Sequence, residues 1–246
     1  DPRLAGTILY PGSSFRDKTV VLQTGQWIKN ADGQWEQKLG QSLGEKDDQG
    51  RYVTALNGPM VRNDQRECNR TGFYIRKYLD KTTSAGTDRG SEMWNVYFRL
   101  SEAYLIAAEA AYELNGGSDA TALKYINAVR SRAGVKELIS VNHQQIMHEN
   151  QVEFAFEGHR WWDLKRWRQA DKIWTGSEMD ITATRRGLWP FLVVSDDDKN
   201  GKWVFFEENM NRYYRNPLKC LPKHYYAELD NGWLNNNPKL VKNPYQ

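Results

Sequence analysis

The fifteen residues from Glu153 to Trp167 constrain the fold more than any other stretch, because they crowd five aromatic and seven charged or ionisable side chains together. Upstream, Asn142 followed three positions later by Gln145 forms the pattern of a capping box, so the run before Gly158 is expected to be mostly helical. Glu149, Glu153 and Glu157 recur every fourth residue and would share one helix face. Like charges at that spacing destabilise an isolated helix by roughly 0.2–0.5 kcal/mol per pair. Val152, Phe154, Ala155 and Phe156 stand beside them, so the carboxylates need cations rather than water. Arg160 follows Glu157 by three positions, Arg166 follows Asp163 by three, and Arg99, Arg130 and Arg132 are the nearest candidates elsewhere. The expectation is a half-buried ionic lattice, built on Glu153, Glu157, Arg160, Asp163 and Arg166 and walled by tryptophans.

Before this stretch, residues 97–114 place Tyr97, Leu100, Tyr104, Ala107, Ala108, Ala111 and Leu114 at three- and four-residue steps, which predicts a helix within a helical part beginning near Ser91. Asn115-Gly116-Gly117 stops it. Ser118 or Asp119 caps a second helix with Leu123, Ile126 and Val129 on its apolar face, and Gly134 ends that helix. Together they form an αα-hairpin the size of a tetratricopeptide repeat, with no second copy in the chain. Residues 1–90 read differently, as a loop- and hairpin-rich region with short strands at Thr7–Tyr10 and Val20–Gln23. Trp27 and Trp35 flank Asn30-Ala31-Asp32-Gly33, a hairpin signal in which Gly33 takes positive φ. Asp47–Gly50 is a second turn, and residues 72–78 form an extended run. Residues 91–246 are expected to be the helical region, with a hairpin near 191–206 and a polar, extended tail over residues 217–246.

Ten Trp and thirteen Tyr exceed what the core of a 246-residue chain needs, so some rings are expected at the surface as binding elements. The ligand candidates are Trp27 and Trp35, which flank one turn, then Tyr52 and Trp203. An indole suits the apolar face of a sugar, while Asn30, Asp32 and Gln34 could bond its hydroxyls. Packing of a small sheet is the competing role for the two tryptophans. The net charge of +3 comes without long basic runs, which argues against nucleic acid. No apolar run approaches the roughly 20 residues of a membrane helix. The opening Asp1-Pro2-Arg3 is not a signal peptide, which implies a removed leader or a fragment. Cys68 and Cys220 are too few for a disulfide framework or zinc spacing, although they could pair in an oxidising compartment.

Other motifs are weak. Asp196, Asp198, Asn200, Gly201 and Glu207 match the spacing of a calcium-binding EF-hand loop, but their β-branched and aromatic flanks favour a β-hairpin. The Glu149/Glu153/Glu157 stripe invites a glycosidase reading, because i,i+4 positions lie about 5–6 Å apart at Cβ. Carboxylates set among phenylalanines, with arginines downstream, fit a structural lattice better. His143, His148, His159 and His224 form no metal-binding pair, and no nucleotide or nucleophile motif occurs, so neither a cofactor nor a metal is expected.

Four blocks resemble the SusD/RagB family of Bacteroidetes surface lipoproteins. They are Arg99–Ala110, Tyr125–Gly134, Glu153–Trp167 and Asn236–Pro244, in the order and spacing of that family. Asn150, and Cys220-Leu221-Pro222, depart from its pattern. The resemblance implies a mainly α fold, a SusD-like helical scaffold of an αα-hairpin plus a long helix, decorated with loop-rich β-hairpins. Asp1-Pro2-Arg3-Leu4 resembles a segment near the family's mid-chain. That placement implies a C-terminal half whose missing partner carries the signal peptide, the lipidated cysteine and most of the helices. It further implies a non-enzymatic protein on the extracellular face of the outer membrane, tethered only by that lipid. Such a protein would capture glycan for a TonB-dependent SusC-like transporter, with RagB-like peptide binding as the nearest alternative and a pure interaction scaffold as another.

Overall fold

Helix α2 owes its start to Arg99, whose extended backbone leads into Leu100–Asn115, and its end to Gly116 at φ 85°. The computed structural model describes residues 1–59, 69–82, 91, 93–210 and 216–245. Asp119 caps helix α3 (Ala120–Arg132), its carboxylate accepting from the backbone N–H groups of Thr121 and Ala122 at 2.8 and 2.9 Å. Leu105 and Ala108 of α2 are buried, as are Ala122, Ile126 and Val129 of α3, and Tyr104 meets Tyr125 at 5.4 Å between ring centres. Gly117 is obligatory beneath this hairpin, since a Cβ there would lie 2.0 Å from the Val141 carbonyl oxygen. The expected capping box opens helix α4 (His143–Glu153).

Two local expectations fail here. The helical part begins at Leu100 rather than near Ser91, and residues 93–98 are not helical. Helix α4 ends at Glu153, five residues before Gly158, because Phe156 and Gly158 turn left-handed at φ 66° and 81°. The turn frees Glu157 from the helix face and lets its carboxylate reach other cations. The chain resumes as α5 (His159–Arg166).

The strands begin with β1 (Ile8–Leu9), which follows the five-residue α1 (Arg3–Thr7), and with a small ladder of β2 (Ser14–Phe15) and β3 (Lys18–Thr19). Residues 20–23 form no strand, although Leu22 and Gln23 are buried. The hairpin of β4 (Gly25–Lys29) and β5 (Trp35–Leu39) pairs Lys29 with Trp35 and Trp27 with Gln37. Gly33 sits at φ 77° in its turn. β1 pairs with β6 (Tyr74–Ile75). The larger sheet runs β5-β4-β7-β8, with β7 (Arg186–Val194) parallel to β4 and β8 (Trp203–Asn209) beside it. This sheet makes the fold mixed rather than mainly α. The long-range pairing of residues 25–28 with 191–194 needs no local helix or hairpin signal, which is why the resemblance overweighted the helices.

The expected hairpin between β7 and β8 is present. Within the calcium-loop spacing, the Asn200 side-chain oxygen accepts from the Ser195 N–H at 3.3 Å and Asp198 is 87% exposed, so these residues do not converge as an EF-hand's would. Among the described residues, no group of His, Cys, Asp and Glu is placed to hold a metal ion, and no helix is long and apolar enough to cross a membrane.

The chain divides into one unit of residues 1–159 with 187–208 and another of residues 160–186 with 209–246. In the second, Trp161 stacks on Trp174 at 5.3 Å, and Leu164, Trp167, Ala183 and Met210 are buried. It also contains α6 (Ala170–Ile173), a 3-10 turn at Pro222–Tyr225 and α7 (Asn231–Asn236), so its tail is more ordered than an extended strap. Cys220 is buried there, which pushes its thiol up, whereas Cys68 lies outside the described residues.

Candidate functional site

The carboxylate stripe of α4 is buried: the side chains of Glu149 and Glu153 are each 1% exposed. Buried carboxylates require paired cations. Arg3 reaches Glu149 at 2.6 Å and Glu153 at 2.9 Å, and Arg130 reaches Glu149 at 2.7 Å. Arg132 reaches Glu153 at 2.6 Å, and Arg99 spans Glu153 and Glu157 at 2.5 and 2.9 Å. Lys77 completes the group at 2.7 Å from Glu157. Arg99 also lies 4.5 Å over the Phe154 ring, a cation–π contact inside the same cluster.

Five cations from four segments therefore meet on three glutamates. Arg99, Arg130 and Arg132, the cations suggested by sequence, all reach them. Arg3 and Lys77 were missed, since they lie 146 and 80 residues from their partners and no spacing rule joins them. The only available signal for Arg3 was its place in Asp-Pro-Arg-Leu. The downstream members of the expected lattice, Arg160, Asp163 and Arg166, belong to the second unit. Asp163 pairs with Arg166 at 2.9 Å, and Arg160 has no ion pair among the described residues. Burial lowers the Arg160 pKa, against the pull of Asp163.

Burial tends to raise the pKa of Glu153, but hydrogen bonds from Arg99 and Arg3 outweigh it and bring the pKa down to about 2. Burial likewise opposes ionisation of Glu157, and Arg99 and Lys77 hold it below its usual value. The same contacts raise Arg99 against its own burial. The stability given by Glu153 is present above its ordinary pKa of 4.5 and is lost as pH falls toward about 2. The Tm is therefore expected to drop steeply across that window; a Tm that stays flat would show that the carboxylate is not held ionised by folding.

The aromatic candidates fall into separate groups. Trp27 and Trp35 are half-buried and stacked, 6.0 Å between centres and 7° between planes. Trp27 also leans on Phe206 at 4.8 Å, and Phe206 meets the fully buried Phe191 edge-on. Trp27 is thus partly core, whereas Trp35 stands beside the turn with the exposed Lys29 ammonium 5.2 Å from its ring centre. Asn30 is spent on the turn, its side-chain oxygen accepting from the N–H groups of Asp32 and Gln34, while the Asp32 and Gln34 side chains are exposed.

The other two candidates belong to the opposite side of the sheet. Strand alternation puts Trp203 on the face opposite Phe206 and Trp27. The Tyr52 carbonyl accepts from Gln26, a residue of that opposite face, and Lys46 covers the Tyr52 ring at 5.0 Å. The structure does not gather the four rings into one site.

A family model described as the SusD family matches residues 1–245. SusD-like protein P25 of Formosa agariphila is 36% identical over 128 residues, 45% of this chain and 24% of that protein. A SusD-like protein of Bacteroides ovatus is 37% identical over 75 residues, 30% of this chain and 14% of that protein. The chain thus matches a quarter or less of the length of these curated relatives. Among solved structures, a SusD-like carbohydrate-binding protein from Bacteroides fragilis NCTC 9343 shares the fold, with a TM-score of 0.53 and 21% identity over 98% of this chain and 41% of that one.

Proposed function

Because the chain belongs to the SusD family, we propose that it is part of a surface nutrient-binding protein. In this reading it captures glycans on the extracellular face of the outer membrane and passes them to a TonB-dependent SusC-like transporter. The observation that carries the binding role is the Trp27–Trp35 stack beside an exposed polar turn. Flat indoles offer surface to the C–H face of a pyranose, and Asp32, Gln34 and the Lys29 ammonium offer partners for its hydroxyls. Trp loses little freedom on binding, which suits a protein that must also release its cargo.

The electrostatics of the glutamate stripe favour binding over hydrolysis. A retaining glycosidase needs one carboxyl group kept protonated as general acid. Glu153 is instead held ionised by arginines, with a pKa of about 2, and its side chain is 1% exposed. A screen of immobilised polysaccharides and peptides, run beside chromogenic glycosides, tests the proposal. Binding to at least one polysaccharide without turnover is expected. Binding confined to peptides, or hydrolysis abolished by Glu153→Gln in a folded protein, would overturn it.

A further inference from the structure

A second aromatic hollow lies away from the Trp27–Trp35 stack, and the ionic lattice builds it. Tyr78 follows Lys77, and Phe156 precedes Glu157; the 2.7 Å Lys77–Glu157 bridge clamps the two rings as neighbouring walls. Both residues hold left-handed backbone, at φ 73° and 66°, a conformation that side-chain-bearing residues rarely adopt. Lys77 further fixes this turn by donating to the Ala155 carbonyl at 2.9 Å. The third wall is Trp94, on a segment tied back by the Ser91 hydroxyl donating to Asp80 at 3.0 Å, with the Met93 N–H donating to Ser91 at 3.1 Å.

The hollow measures about 340 Å³, within the roughly 300–1,000 Å³ of small-ligand sites. Its rings are open to solvent: Trp94 is 86% exposed and Phe156 49%. Its lining also holds the Glu157 carboxylate, already paired with Lys77 and Arg99, and the exposed Asn95 side-chain amide, which has no partner among the described residues. Resting on the glycan-binding reading above, we infer that this hollow is a second saccharide site. Trp94 and Phe156 would stack on the sugar's apolar face, and Asn95 would donate to and accept from neighbouring hydroxyls.

The test is titration calorimetry of the whole chain with laminarin-, malto-, xyloglucan- and mannan-derived oligosaccharides, alongside size-exclusion chromatography with light scattering. For an oligosaccharide that binds, Trp94→Ala is expected to remove one of two sites, and Asn95→Ala to weaken that site about tenfold. Both residues are exposed, so Tm is expected to hold. Binding that is lost in Trp35→Ala but unchanged in Trp94→Ala and Asn95→Ala would leave the proposed function standing and overturn this inference. A Trp94→Ala effect confined to oligomeric state would assign the rings to a polypeptide contact and overturn it too. Absence of binding by the unaltered chain to every oligosaccharide would remove both.

Discussion

Replacing Glu153 by glutamine is expected to lower stability by roughly 3–5 kcal/mol, the cost of breaking a buried ion pair by removing one partner. Its carboxylate is 1% exposed and receives Arg3, Arg99 and Arg132. Glutamine keeps the shape but cancels the charge and turns an N–H₂ group toward those guanidinium groups, so Arg3 and Arg99 are left sharing one carboxylate fewer in a buried cluster. The cationic partners should not be equivalent. Arg132 is 59% exposed along its side chain, so Arg132→Ala is expected to cost at most about 1 kcal/mol. Arg99→Ala should approach the Glu153→Gln loss, because Arg99 links two carboxylates, bonds the Glu153 carbonyl and covers Phe154. Urea unfolding midpoints at constant m-value measure the series. A Glu153→Gln protein that unfolds like its parent would mean that the lattice is solvated.

Phe191→Ala is expected to cost about 3–5 kcal/mol, as for other large aromatics removed from a core. Phe191 is fully buried and packs edge-on against Phe206, which supports Trp27. It also covers Gly25, where even an added Cβ would meet its ring at 2.5 Å. The cavity left by alanine would therefore open at the junction of β4 and β7. Thermal unfolding measures this loss, and a change below about 1 kcal/mol would show that the sheet closes over the gap.

Local chemistry was readable from sequence where partners are near in the chain. Asp119, the Asn142–Gln145 box and the Gly33 turn act through the residues beside them, and all three hold in the structure. The need for cations around Glu149 and Glu153 was likewise evident from their apolar neighbours. Arg3 and Lys77 were not foreseeable, because their approach depends on the fold as a whole. The left-handed turn at Phe156 was hidden too. Its residues carry no breaker before Gly158, and only the pull of Arg99 and Lys77 on Glu157 gives the turn a physical reason. Spacing also cannot tell a core ring from a surface one. Trp27 and Trp35 look alike in sequence, yet Phe206 anchors only the first. The parallel pairing of β4 with β7 had no local mark, so the sheet's extent went unread.

That difference between the two tryptophans gives the central claim its most direct test, which is calorimetric affinity for a polysaccharide found in the binding screen, measured for the parent and for Trp35→Ala. Trp27→Ala serves as a companion and should lose stability as well as affinity, since it also abandons Phe206. The account predicts that Trp35→Ala weakens binding at least roughly tenfold, about 1.4 kcal/mol, with Tm nearly unchanged. Equal affinity in the parent and Trp35→Ala would contradict it and move glycan capture away from this stack.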